Sequence, residues 1–346
     1  MEITFSNRVV AAFAVTVIAV GVQAGTARAG AARAGAGSRP AGSAVVQDAT
    51  GAAARAAAVR YWTPARMAAA LRAADGQPAA KRTVSRTRRL VRKPAPTPAP
   101  AAAAWLHGDT GGTGLPWTHG GAAAAAVGKV FFTLGGEDYA CSGTLVGGKG
   151  TDVVLTAAHC VTGGPDKAGA TQWATNWMFV PGFVDGLLPY GEYTARRFFV
   201  SKDWTGPQAG REQYDAAFVQ VTTATWYGIS VAAQPPPGLP VKFSGRQDSA
   251  PVSRTYVFGY PAELPYGGLY LDYCAGPVVA SGGSAATPCR MTAGDSGGPW
   301  LAGFSPRSGT GEVVAVSTYK VSGSPRALYG AVLGPQARAL YERAVS

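Results

Sequence analysis

Nothing in this 346-residue sequence could cross a bilayer as a helix: the apolar stretch near the start is too short, and no second apolar run of 18 exists. A membrane-spanning protein is thereby excluded. Cysteine is scarce, and four of them are too few to frame a disulfide-held miniprotein. Only three histidines are present, so imidazole chemistry has few candidates. No period of 20 to 50 residues repeats, which argues against solenoids and propellers. Charged residues make up 14%, while 47 Gly, 25 Pro and long Ala tracts consume much of the length. One well-packed domain with low-complexity extras fits that balance.

Acidic residues are nearly absent from the first third. Residues 1–104 carry 3 Asp/Glu against 15 Lys/Arg, whereas residues 105–346 carry 16 of each, so the formal net charge of +12 belongs wholly to the N-terminal part. Clustered Lys/Arg can mean nucleic-acid binding through phosphate neutralisation. Here the part able to fold contributes none of that charge, and no nucleic-acid partner is expected.

Residues 1–29 have the form of an export signal. Arg8 offsets Glu2, an apolar stretch runs from Val9 to Val22, and Ala27-Arg28-Ala29 supplies a small-residue cleavage pattern, with Ala24 as the alternative site. Membrane contact is then transient, during export, and the cysteines meet an oxidising compartment in which thiols pair. Residues 30–104, rich in Ala, Gly, Arg and Pro, are expected to be a largely disordered, basic prosegment. One island stands apart: Thr63-Pro64 is a helix start, Met67, Ala70, Leu71 and Ala74 share a face, and Asp75-Gly76 is a stop. Fleeting helicity and a helix docked on the folded part are both consistent with it. Seven Lys/Arg between Lys81 and Lys93 precede the Pro-rich linker Pro94 to Pro100. They suit a processing site, or an arm that holds anionic cell-envelope polymers. Residues 105–124 read as a Gly/Ala-rich linker.

From about residue 125 the pattern changes to short segments rich in Val, Phe, Tyr and Thr between Gly and Pro punctuation: Val127 to Leu134, Val153 to Thr156, Ala216 to Val221, Tyr256 to Tyr260 and Glu312 to Tyr319. The pattern is all-β, a sandwich or a barrel. Pro235 to Pro237, Gly238 and Pro240 cannot sit inside a sheet and divide the region near 234 and 241. Within it the one helical candidate is Pro335 to Ala344.

Two motifs carry chemistry. Thr156-Ala157-Ala158-His159-Cys160 and Gly294-Asp295-Ser296-Gly297-Gly298-Pro299 lie in this order, with His159 and Ser296 137 residues apart. A serine hydroxyl is a poor nucleophile at neutral pH unless a base takes its proton, and imidazole has the right proton affinity. His107 and His119 lie in Gly-rich sequence before the first strand and suit exposed linker positions. The imidazole needs a carboxylate to fix its tautomer. Asp215, before Ala216-Ala217-Phe218-Val219, is the best candidate, with Asp203 as runner-up; Asp166 and Asp185 sit in turn-like contexts.

Over roughly residues 125–346 the two motifs resemble the chymotrypsin-like (trypsin-like) serine peptidases, nearest the secreted bacterial branch, as do Val127-Gly128-Lys129-Val130-Phe131-Phe132-Thr133 and Phe258-Gly259-Tyr260-Pro261. The resemblance implies two antiparallel six-stranded β-barrels, the first about 125–234 and the second about 241–346, with the triad His159, Asp215 and Ser296 in the cleft between them. It also implies oxyanion donors at the backbone amides of Gly294 and Ser296. Pocket walls would come from Arg290 to Ala293, including Met291, and from Ser317, Thr318, Tyr319 and Lys320. Arg290 stands where trypsin-type enzymes have the Asp that binds basic side chains. Pointing inward it would favour an acidic one; turned out by the local disulfide it would do nothing.

The cysteines fall into two local pairs, one of three possible connectivities. Cys141 with Cys160 matches the family's disulfide beneath the catalytic His. Cys274 with Cys289 departs from the animal enzymes, because Cys289 lies seven residues before Ser296, farther than in those relatives. A metal site made of cysteines and His159 is disfavoured by export and by the spacing. In relatives activated by cleavage, the residue matching Asp295 pairs with a freed amino terminus. No Ile-Val-Gly-Gly stretch exists here, so Asp295 is expected to pair with an internal cation or a hydrogen-bond network. The whole predicts a secreted, monomeric serine endopeptidase that is made as a preproprotein and acts on peptide or protein substrates without metal or cofactor. A catalytically silent binding module on the same fold, or an envelope-binding protein acting through its basic arm, are the alternatives.

Overall fold

The structure is a computed structural model and describes residues 44–48, 51–73, 109–147, 152–166, 168–207, 211–222, 225–226, 229–230, 236–246, 250–320 and 326–346. Along the chain these form β1 (Ala44–Asp48), α1 (Ala52–Tyr61), α2 (Pro64–Ala73), β2 (Leu115–Pro116), α3 (Gly121–Ala126), β3 (Val127–Leu134), β4 (Glu137–Val146) and β5 (Val153–Thr156). A ribbon of β6 (Thr162–Pro165) and β7 (Thr171–Trp173) follows, then β8 (Thr175–Pro181), β9 (Tyr193–Ser201), β10 (Ala217–Val221) and a ribbon of β11 (Thr225–Trp226) and β12 (Ile229–Ser230). The second half holds β13 (Arg254–Gly259), β14 (Asp272–Pro277), β15 (Val279–Ser281), β16 (Ser284–Pro288), β17 (Pro299–Ser305), β18 (Thr310–Tyr319), β19 (Ala327–Val332) and α4 (Pro335–Ala344).

The first six-stranded barrel closes on itself. Its order is β9-β10-β5-β4-β3-β8, and β8 returns to β9 through Met178↔Thr194 and Phe179↔Tyr193, every pairing antiparallel. The hairpin of β3 and β4 starts it because Gly135 and Gly136 both take positive φ, +62° and +90°, the conformation a tight two-residue hairpin demands. Phe131, Leu155, Phe179 and Phe218 are wholly buried on its strands, and Met178 nearly so. Closure pairs β10, β5, β4 and β3 on both sides, and β1 covers the length of β9 that β8 does not reach, so the edges that invite aggregation are covered.

The second barrel runs β15-β16-β19-β18-β17-β13-β14, also antiparallel, and is open between β14 and β16. Cys274 of β14 and Cys289, just past β16, join across that seam with Cα atoms 5.7 Å apart. The Thr287 hydroxyl donates to the Pro277 carbonyl at 2.8 Å beside it. Trp300, Val257, Ala315 and Met291 form its core.

The Pro-rich divider crosses between barrels. Leu239 bridges to Val146 of β4 and Val241 to Val313 of β18, both in parallel sense. Helix α4 then runs back from the second barrel to the first, burying Ala337, Leu340 and Ala344, with Tyr341 against Phe218 and Gln220 donating to the Ala344 carbonyl. Its span is the one the sequence predicts.

Two regions depart from the sequence expectation. Of the segment expected to be largely disordered, residues 44–48 and 51–73 are ordered: β1 pairs with β9 from Ala44↔Ser201 to Asp48↔Arg197. Helix α2 starts where predicted, with the Arg66 amide donating to Thr63 Oγ1, and it docks, burying Met67, Ala70 and Leu71. Ala74 to Gly76, Lys81 to Lys93 and the export-signal residues lie outside the described residues. Nor is the stretch before residue 125 a bare linker. Strand β2 pairs with β14, and Trp117 packs edge-on against Phe258, Tyr273 and Phe304 at ring distances of 5.3–5.4 Å. That aromatic burial supplies what two residues of strand cannot supply by themselves.

Candidate active site

His159 is delivered by a one-turn helix, Ala158–Cys160, directly after β5. Ala157 and Ala158 are wholly buried, and their small side chains let this turn lie flat on the barrel. Cys160 is fastened to Cys141 of β4 by a disulfide, and its carbonyl accepts the Trp177 indole N–H at 3.2 Å. The turn is therefore anchored on both sides of the imidazole.

Asp215 ends the short helical turn Glu212–Tyr214 and leads into β10, the neighbour of β5. Its carboxylate is buried and takes two bonds from one residue: the His159 backbone N–H at 2.9 Å on Oδ1 and the ring Nδ1 at 2.7 Å on Oδ2. With Nδ1 as the donor, Nε2 is left free to accept. Burial alone would lower the His159 pKa. The Asp215 charge and hydrogen bond, joined by the charge of Asp295, outweigh it and hold the imidazole above its usual 6.5. Asp203 is engaged elsewhere, by Lys202 and by the Gln336 amide. Asp166 accepts the amides of Ala168 and Ala170 and serves its turn. His119 is exposed against Trp117, and His107 lies outside the described residues.

Ser296 lines the same cavity as His159 and Asp215, one of about 610 Å³. Among the described residues no hydrogen bond joins its hydroxyl to the imidazole; such contacts often tighten only when substrate binds. The Ser296 carbonyl accepts the Ser142 N–H at 2.7 Å, so the loop that carries Ser296 is tied to β4 of the other barrel. Gly294 has φ +100°, and a Cβ there would meet the Tyr260 carbonyl oxygen at 2.7 Å and the Ala262 nitrogen at 2.9 Å. Only glycine fits. No backbone bond from the Gly294 or Ser296 amide occurs among the described residues.

Two polar residues that motif reasoning did not single out support this loop. The Ser142 hydroxyl donates to the Gly294 carbonyl at 2.8 Å and accepts the Tyr260 N–H at 2.9 Å. Lys129 of β3 is wholly buried and donates to the Tyr260 carbonyl at 2.9 Å. Burial drives its pKa down to about 7 against the pull of Asp295 and Asp272. Asp295 is buried with Oδ2 lacking a hydrogen-bond partner among the described residues. Burial pushes it up to about 7, opposed by Lys320, His159 and Lys129. A signal for Lys129 was present: in a period-two strand it shares a face with Val127 and Phe131. Ser142 has no such mark.

A second cavity, of about 770 Å³, meets the first at Ala293, Ser296, Thr318 and Tyr319. Arg290, Lys320 and Arg326 line it, with Glu263 and Asp295 as acidic residues among them. Of the five residues predicted to bind substrate, Arg290, Thr318 and Tyr319 are on this wall. Met291 and Ser317 are wholly buried, the latter accepting the Trp300 indole N–H at 3.1 Å.

Residues 141–316 match the family described as the trypsin-like peptidase domain. Among solved structures, protease Anisep from Arthrobacter nicotinovorans is 33% identical over 64% of this chain and 95% of its own, with a TM-score of 0.54. A thermostable serine protease, AL20, from an extremophilic microorganism is 28% identical over 65% of this chain and 98% of its own, with a TM-score of 0.55. A curated Bacillus subtilis (strain 168) protein named "Extracellular metalloprotease" is 27% identical over 138 residues, 39% of this chain; the match spans only 37% of that relative's length. Its name invites a test for a metal centre. Cys141, His159 and Cys160 bring donors together, but both sulfurs are consumed in their mutual bond and Nδ1 is engaged by Asp215. A disulfide offers no thiolate, so this donor set does not fit a metal ion.

Proposed function

This chain belongs to the trypsin-like peptidase family, and from that premise we propose that it is a secreted serine endopeptidase working through an acyl-enzyme on Ser296. The observation that carries the proposal is the Asp215–His159 pair opening on the cavity that Ser296 lines. His159 Nε2 takes the Ser296 proton as Oγ attacks the peptide carbonyl, then passes it to the leaving amine; water repeats the sequence to free the acyl group. The Gly294 and Ser296 amides receive the oxyanion. Export of a preproprotein, with a signal over 1–29, a basic segment over 30–104 and the peptidase core over 125–346, is consistent with two disulfides and with the extracellular name of the curated relative. A fluorophosphonate probe should phosphonylate the secreted protein, with peptide mapping placing the adduct on Ser296. An adduct on another residue would sink the assignment.

The two cavities give the substrate a direction. Arg290, Lys320 and Arg326 outnumber Glu263 and Asp295 on one side of Ser296, while Phe132, Leu134, Trp204 and Pro207 make the other side largely apolar. An acidic side chain before the cleaved bond suits the cationic side. Ion pairs open to solvent are worth up to about 1 kcal/mol. Arg290→Gln should therefore lower kcat/KM for a Glu substrate by roughly fivefold relative to its Gln counterpart. Peptide-library profiling that found Lys or Arg preferred at this position would overturn the assignment.

A further inference from the structure

We infer that residues 44–73 are an activating part of the peptidase that stays bound after any cut in the basic segment 81–93, and not an inhibitor expelled from the cleft. None of these residues lines either cavity that meets at Ser296. They pack on β4, β8 and β9 of the first barrel. Strand β1 occupies the edge of β9 over 197–201, where β8 no longer pairs. Trp62 is inserted beside Phe131, its ring 5.4 Å away and its indole N–H bonded to the Asn176 carbonyl. Asp138 receives the Tyr61 hydroxyl at 2.8 Å and faces Arg66 at 3.5 Å.

Loss of this segment would bare a sheet edge and an apolar patch together, the combination that soluble proteins avoid. It would also open a route toward the oxyanion loop. A methyl placed on Gly268 would lie 3.0 Å from Leu71 Cδ2, 3.0 Å from Lys129 Nζ and 3.2 Å from Ala262 Cβ, so those three groups converge on one point. Leu71 of α2 thus seals the pocket of the buried Lys129 ammonium. That ammonium holds the Tyr260 carbonyl, the same oxygen against which Gly294 is pressed. The cation that holds this carbonyl is internal to the chain, and Leu71 of the N-terminal segment covers it. Water admitted beside Lys129 would loosen the carbonyl and, through it, the loop.

The test uses the full secreted chain carrying a site-specific protease sequence inserted between Pro94 and Pro100. After the cut, both fragments should co-elute on native gel filtration and separate only in denaturant, with peptide hydrolysis and probe labelling within about twofold of the uncut protein. In the Trp62→Ala, Leu71→Ala double variant the N-terminal fragment should be released on cutting, and kcat should fall at least about tenfold with KM little changed. Should that variant fail to fold, the cut wild-type chain still decides. Spontaneous release of its fragment with activity retained or increased would overturn the inference, and co-elution with sustained activity supports it. Retention is read by elution alone, so an inactive protein would refute the proposed peptidase while leaving the docking result interpretable.

Discussion

Asp215→Asn should cost about four orders of magnitude in kcat, as loss of the corresponding carboxylate does in the trypsin case, with KM little altered. The reason is geometric before it is electrostatic. Both Asp215 oxygens accept hydrogen bonds from His159, one from the backbone and one from the ring, and an amide can accept through only one of its two atoms. The ring would then keep its proton on Nε2, the nitrogen that must accept from Ser296. A pH profile provides a second readout. The base must be neutral to act, so wild-type activity should be lost as pH falls through the imidazole pKa, which lies above 6.5 because the Asp215 and Asp295 charges and the Asp215 hydrogen bond outweigh burial. Without the carboxylate, burial regains weight and the residual activity should keep its acidic limb at lower pH. A variant that retained a tenth of the activity, or whose limb moved upward, would remove Asp215 from the proposed mechanism.

How much of this was legible beforehand depends on where each residue gets its stability. The strands of the two barrels announced themselves, because a buried face requires Val, Phe and Leu in a pattern local enough to read: β3 and β5 fall on the predicted spans, and β10, β13 and β18 within a few residues of theirs. His159 and Ser296 were legible for a different reason. Each sits in a short motif of small residues, and the structure gives those residues tasks: Ala157 and Ala158 pack without a gap, and Gly294 occupies a space that admits no Cβ. Asp215 could be named from the apolar strand that follows it, and the structure brings its carboxylate to the ring.

The N-terminal segment was hidden by composition. Its alanines promise little burial, and β1 has no partner within reach in sequence; it is ordered through β9, some 150 residues away. Trp62, Met67 and Leu71 among those alanines were the local hint, and their burial in the main core is what makes α1 and α2 part of the domain. Strand β2 and Trp117 follow the same rule, since two residues of strand gain their order from aromatic neighbours contributed by β13, β14 and β17. Ser142 could not be read at all, because its role rests on two backbone groups of the other barrel.

Gly294→Val should lower kcat by about 10² to 10³, the range for loss of one oxyanion donor, while leaving KM within a few-fold. At φ +100° an L side chain is strained wherever it stands, and here the atoms in its way are the Tyr260 carbonyl oxygen and the Ala262 nitrogen, backbone that cannot rotate aside. Those atoms are held in turn: Ser142 and Lys129 bond the Tyr260 peptide groups, and the Ala262 amide donates to the Ala293 carbonyl at 2.6 Å. The loop, rather than the strand, must therefore shift, and both the Gly294 and Ser296 amides shift with it. In the proposed function Arg290 and Tyr319 would still meet substrate side chains, so ground-state binding should survive; the interaction lost would be the one that strengthens as negative charge develops. Active-site titration with the fluorophosphonate probe separates this from partial unfolding. If the variant's lower rate were matched by an equally lower titratable fraction, the loop would be a structural element only, and the oxyanion assignment would fail.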